Sequence, residues 1–144
     1  MGTRCHIGYV SSYRPYGGSV ICPVVVAYCH YDGNLDHTGR LLTHHYPSRE
    51  KAHHLVNNGY MSGLYPTVEQ VNARRVHSES ADKWGSIEEY FENIPSEIEY
   101  VYLWGRKYAA NERWHVWMPP YKLENAWALL PTTQFAEYLE SAVG

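Results

Sequence analysis

Between Tyr28 and Leu42 the chain reads YCHYDGNLDHTGRLL, which crowds Cys29, His30, Asp32, Asp36 and His37 around Gly33. A thiol, two imidazoles and two carboxylates this close could hold a metal, move a proton or cradle an anion. Zinc asks for four N or S donors converging as a tetrahedron. The spacing here matches no standard ligand pair, and neighbours on a strand point to opposite faces, which separates Cys29 from His30. The doublets His44-His45 and His53-His54 fare no better, because adjacent helical residues point about a third of a turn apart. Neither a metal nor a cofactor is expected.

Proton transfer is the second chemistry. His30 and Asp32 stand at alternate positions, so they can share one face of a strand, and a histidine oriented by a carboxylate is the core of many acid–base devices. Such a pair also needs a nucleophile and an oxyanion or phosphate holder. The chain has no G-x-S-x-G, H-E-x-x-H, P-loop or G-x-G-x-x-G motif to supply them. A small phosphodiesterase-like enzyme using His30 and Asp32 on a nucleotide is therefore the alternative reading.

Anion binding is the third chemistry. Gly33 and Gly39 flank an expected helix start, where unpaired N–H groups attract phosphate. Arg4, Arg14, Arg40, Arg74 and Arg75 could add forked donors, and tyrosine or tryptophan rings could stack on a base. The residues expected to line a ligand pocket are Arg4, Tyr28, His30, Tyr31, Asp32, Gly33 and Arg40.

These side chains need elements to place them. CHIGYV alternates as a first strand, and VICPVVVAYCHY is the strongest strand signal, rich in β-branched residues. The two are expected to pair as a hairpin across Gly17-Gly18, with Pro23 at the strand start or a bulge. Asp32-Gly33-Asn34 is turn chemistry, after which Asp36 is expected to cap a helix from His37 to His45 that Pro47 ends. Ser48 then caps REKAHHLVNN, and Gly59 supplies its left-handed stop. TVEQVNARRV fits either a short helix or an edge strand. Ser86 to Glu89 is an S-x-x-E capping box opening a helix to about Asn93. IEYVYLWG and RWHVWM read as a second hairpin, and PTTQFAEYLESAV as a terminal helix.

Strands and helices fall in separate blocks, which points to an α+β fold with a mostly antiparallel sheet and three or four short helices. With no internal repeat and no linker, residues 1–144 are expected to form one domain. The net charge of −3 argues against a duplex-DNA binder, which needs a basic footprint. No apolar run is long enough to cross a bilayer. The N-terminus has no apolar leader segment, and the odd cysteine count, Cys5, Cys22 and Cys29, suits free thiols in a reducing cytoplasm.

The aromatic balance is unusual, with 14 Tyr and 5 Trp against 2 Phe. Rings with a polar tip suit half-buried surfaces and recognition faces. Trp104, Trp114 and Trp117 crowd the second hairpin, and Trp114 and Trp117 have opposite parity. Unless the terminal helix covers the second face, one of them is exposed as an anchor for a protein partner.

Three stretches, MGTRCHIGYV, YCHYDGNLDHTGRLLTHHY and SREKAHHLVNNGYMSGL, resemble a group of small bacteriophage and prophage proteins. These have a Gly-Thr-Arg opening and a Cys-His-aromatic-Asp-Gly core, followed by a glycine and Leu-Leu…Tyr. The likeness covers residues 2–64, with a looser match to the closing hairpin over residues 98–117. Its best block is Tyr28 to Gly33 with Gly39, Leu42 and Tyr46. The chain departs from the group at Asn34-Leu35, where Tyr-Pro is usual. The resemblance implies a phage setting and carries no activity. In that setting the chain is expected to act in the host cytoplasm as an accessory protein countering antiviral defence by binding. Its partner would be a small anionic nucleotide signal, or a host defence protein such as a CRISPR effector; assembly as a homo-oligomer stays open.

Overall fold

In a computed structural model of the chain, residues 3–11, 23–105 and 112–119 and the short strand at 127–128 are described. The Gly17-Gly18 loop and the expected terminal helix lie outside them.

The first two strands are β1, Cys5–Val10, and β2, Val24–Cys29. They pair antiparallel as the alternation predicts, with Cys5 opposite Cys29 and Val10 opposite Val24. Pro23 precedes β2, where its missing N–H breaks no ladder bond. A π-helical turn over Leu35–Gly39 then runs into α1, Arg40–His45. The expected cap is corrected here. Asn34 is the N-cap residue, and Asp36 lies inside the first turn, where its carboxylate accepts from the Asn34 amide.

The next helix, α2, spans Arg49–Asn57, with the Ser48 hydroxyl accepting from Lys51 N–H. The stretch that fitted two readings is helical: α3, Val68–Arg74, opens on a capping box in which Thr67 and Gln70 satisfy each other's backbone. It is followed by β3, Asp82–Trp84, a three-residue strand that the sequence pattern did not signal. The Ser86 cap opens α4, Ile87–Glu92. Strands β4, Tyr100–Gly105, and β5, Arg113–Trp117, form the second hairpin, and β6, Trp127–Ala128, follows.

The sheet order is β3-β2-β1-β4-β5-β6. Every neighbouring pair is antiparallel except the central β1 and β4. The architecture is thus α+β with a mostly antiparallel sheet. Helices cover both faces, which explains why β2 is almost continuously apolar instead of alternating. On one face Cys5, Ile7, Tyr9, Val25, Ala27, Cys29, Tyr102, Trp104 and Trp114 pack with Leu42, Ala52, Leu55, Val56 and Val71 of α1, α2 and α3. On the other, Val24, Val26, Val101, Leu103 and Trp117 pack with Tyr90 and Phe91 of α4.

This double cover overturns the expectation of an exposed tryptophan anchor. Trp104, Trp114 and Trp117 keep only 6%, 2% and 5% of their surface exposed. Trp104 donates to Glu112 Oε2 at 2.9 Å and Trp114 to the Tyr46 carbonyl at 2.8 Å. Trp117 meets Phe91 edge-on at 5.4 Å, so the second face is covered by α4. The sequence reading gave that task to the terminal helix.

His6, on the α4 face, gives the fold a pH dependence. Its Nδ1 is hydrogen-bonded with the Tyr90 hydroxyl at 2.7 Å. Burial lowers its pKa from 6.5 to about 4, against a smaller upward pull from Glu97. The unfolded chain therefore binds the proton first. The stabilisation is complete above pH 6.5 and is lost as pH falls towards 4, a change of roughly 3 kcal/mol. Urea midpoints should fall steeply over that range. A His6→Gln variant should show a flatter dependence, and equal slopes for the two proteins would rule out this imidazole as the cause.

Candidate functional site

The Asp32-Gly33 corner is a structural joint. Asp32 takes a left-handed φ of 57°, a conformation that a short polar side chain tolerates. Its carbonyl accepts from Thr38 Oγ1 at 2.7 Å. Gly33 donates its N–H to the Thr3 carbonyl at 2.8 Å, and its own carbonyl accepts from the buried Tyr102 hydroxyl at 2.7 Å. A Cβ on Gly33 would come within 2.8 Å of Cys5 Sγ, so only glycine fits. The amide expected to cradle an anion is thus already bonded, and Gly39 lies buried inside the helical run instead of flanking its start.

Cys29 is fully buried on the α1–α3 face and contacts the Tyr31 carbonyl through its Sγ at 3.6 Å. Cys5 and Cys29 are free thiols, and burial pushes the Cys5 thiol well up. His37 donates from Nε2 to the Leu64 carbonyl at 3.1 Å. Among the described residues no group of three or more His, Cys, Asp and Glu side chains is placed to hold a metal. Nor is any described helix long and apolar enough to cross a membrane.

Beyond Cys29 the chain keeps running in extended form beside residues 60–62. Met61 N–H donates to the Tyr28 carbonyl, His30 N–H to that of Met61, and Tyr31 N–H to that of Ser62, all within 2.8–3.1 Å. This parallel extension occupies the outer edge of β2 just past β3. Two contacts fix the segment from behind: the His37 bond to Leu64, and the Tyr46 hydroxyl donating to the Tyr65 carbonyl at 2.7 Å. Burial pushes the Tyr46 pKa up to about 12, which keeps that hydroxyl a donor. A third strip, residues 74–79, closes the site. Glu79 accepts from Tyr60 N–H at 2.8 Å through its carbonyl, and Ser62 Oγ accepts from Val76 N–H at 3.2 Å.

The three strips enclose a cleft of about 670 Å³, a typical size for a small-molecule site. Tyr28, His30 and Tyr31 form one wall, Tyr60, Ser62 and Tyr65 the floor, and Arg74, Val76, His77 and Glu79 the other wall. The Tyr28 hydroxyl is bonded to His30 Nδ1 at 2.8 Å. His30 and Tyr31 meet edge to face at 4.4 Å, and Tyr60 and His77 at 5.1 Å. The Arg74 guanidinium lies over the Tyr65 ring, 4.8 Å from its centre. Two large apolar side chains stand out as exposed among the described residues, Tyr31 at 52% and Val76 at 74%. Both line this cleft.

Of the expected pocket residues, Tyr28, His30 and Tyr31 line the cleft. Arg4, Asp32, Gly33 and Arg40 do not. Arg40 begins α1 with its side chain exposed. Arg4 acts at a distance: burial raises the Tyr28 pKa, and the Arg4 charge pulls it back down. The proposed His30–Asp32 pair is not formed, since His30 Nδ1 is engaged by Tyr28 and Asp32 lies outside the cleft. Arg74 does reach the cleft. Its neighbour Arg75 instead donates to the Asn58 carbonyl at 3.0 Å, and Arg14 lies outside the described residues. Tyr60, Ser62, Tyr65, Val76, His77 and Glu79 were missed. The T-x-x-Q box at Thr67 was the available signal, because it marks a helix that ends on Arg74.

No family model, no curated protein and no solved structure matches the chain.

Proposed function

We propose that the chain is a binding protein that holds a small anionic nucleotide in the cleft between residues 28–31, 60–65 and 74–79. In the phage setting that the sequence resemblance implies, holding such a ligand withdraws a nucleotide signal from host antiviral defence. One observation carries this reading: the exposed Tyr31 and Val76 both line the same aromatic cleft. Exposed apolar side chains gathered at a concavity mark a surface that something covers. The tyrosines offer faces for a planar ring. Arg74, already resting on Tyr65, supplies a cation for an anionic group on the guest.

Retention is favoured over turnover because, among the described residues, no histidine lining the cleft is hydrogen-bonded to a carboxylate, and His30 is engaged by Tyr28. A panel of cyclic mononucleotides, incubated with the protein and freed of excess by gel filtration, tests this. Heat denaturation should release one of them intact in stoichiometric amount. Release of a hydrolysed product would establish the enzyme reading instead. Retention of none would reject the nucleotide reading and favour a defence protein as partner.

A further inference from the structure

We propose that the ligand carries a guanine ring read by the Glu79 carboxylate and a single phosphodiester held by the Arg74 guanidinium. This rests on reading the cleft as a nucleotide site. Among the described residues lining it, the acidic and basic side chains other than histidine are one guanidinium, Arg74, and one carboxylate, Glu79, and they limit the ligand's charge. A triphosphate brings several negative charges that one guanidinium cannot balance and that Glu79 repels. A phosphodiester brings one, and two of its oxygens match the parallel N–H pair of the guanidinium fork. The contact with Tyr65 orients that fork before any ligand arrives.

Glu79 then selects the base. A carboxylate only accepts hydrogen bonds, through two oxygens side by side. Guanine is the common base whose Watson–Crick edge presents two adjacent N–H donors, from its ring nitrogen and its amino group. Adenine and cytosine set one amine beside an acceptor nitrogen, which would face a carboxylate oxygen lone pair to lone pair. Uracil sets one N–H between two carbonyls. A site built around paired hydrogen bonds rejects partners that leave one unmade. The half-exposed Tyr31 ring, braced edge-on by His30, supplies the stacking platform.

Titration calorimetry with the cyclic monophosphates of guanosine, adenosine, cytidine and uridine tests this on the wild-type protein and on Glu79→Gln. The guanosine form should bind about tenfold tighter than the other three, and the glutamine, which turns one acceptor into a donor, should reduce that preference to about threefold or less. The Glu79 side chain is exposed, and its backbone carbonyl makes the bond to Tyr60, so the substitution leaves the fold intact. Binding without a guanine preference, or a preference that survives Glu79→Gln, overturns this inference and leaves the nucleotide reading standing. Failure of all four to bind overturns both.

Discussion

Replacing Gly59 by alanine should lower the unfolding free energy by about 2 to 5 kcal/mol, combining the cost of a left-handed residue with that of forced overlap. Gly59 ends α2 with a φ of 88°, and a Cβ there overlaps the Glu79 carbonyl oxygen. That oxygen accepts from Tyr60 N–H, so the clash falls on the contact that seats residues 74–79 against the floor of the cleft. Ligand affinity should fall together with the urea midpoint. Gly63→Ala is the control. It has no positive φ, and its nearest neighbour would be the Tyr65 hydroxyl at 3.6 Å, an ordinary contact. A Gly59→Ala protein as stable as the Gly63→Ala one would show that residue 79 does not pack where described.

Replacing Arg74 by alanine should weaken binding of the retained nucleotide by tenfold to about a hundredfold, the range for losing a charge-assisted hydrogen bond. The residue is exposed in the last turn of α3, so thermal stability should barely move, and calorimetry separates the two effects. A lysine at the same position should recover only part of the affinity, because an ammonium lacks the planar fork. Undiminished affinity in Arg74→Ala would place the phosphate elsewhere.

The scaffold was largely legible because its elements carry local chemistry. Ser48, Ser86 and Gly59 each act at a helix end as their residue types predict, and the β-branched run of β2 announces a buried strand. The parallel pairing of β1 with β4 was not legible, since nothing local in either strand names its partner. The role of the tryptophans depended on whether the second face of the sheet was covered. The covering element, α4, was recognised as a helix but not as the lid of that face.

The candidate site was legible by half. Tyr28, His30 and Tyr31, singled out for an imidazole and for rings that could stack, do line the cleft. Asp32 and Gly33 were misread for a physical reason: the residues that suit an anion cradle are also those that suit a tight corner, and here the corner uses up the amide and the carbonyl. The opposite wall comes from residues 74–79, which have no apolar period to report their position. They reach the site through the Tyr60 N–H bond to Glu79, the Val76 N–H bond to Ser62 Oγ and the side-chain contacts of Arg74, Arg75 and His77, none of which has a local sequence signature.

One wall of the cleft is cantilevered from the sheet, while the other is a short strip joined by a few hydrogen bonds and ring contacts. If the cleft holds a ligand as proposed, changes at positions 76, 77 and 79 would alter what it recognises without touching the strands that keep the chain folded. A lineage under pressure from a shifting chemical target could swap those three side chains and retain the rest, as a tool keeps its handle when the bit is changed.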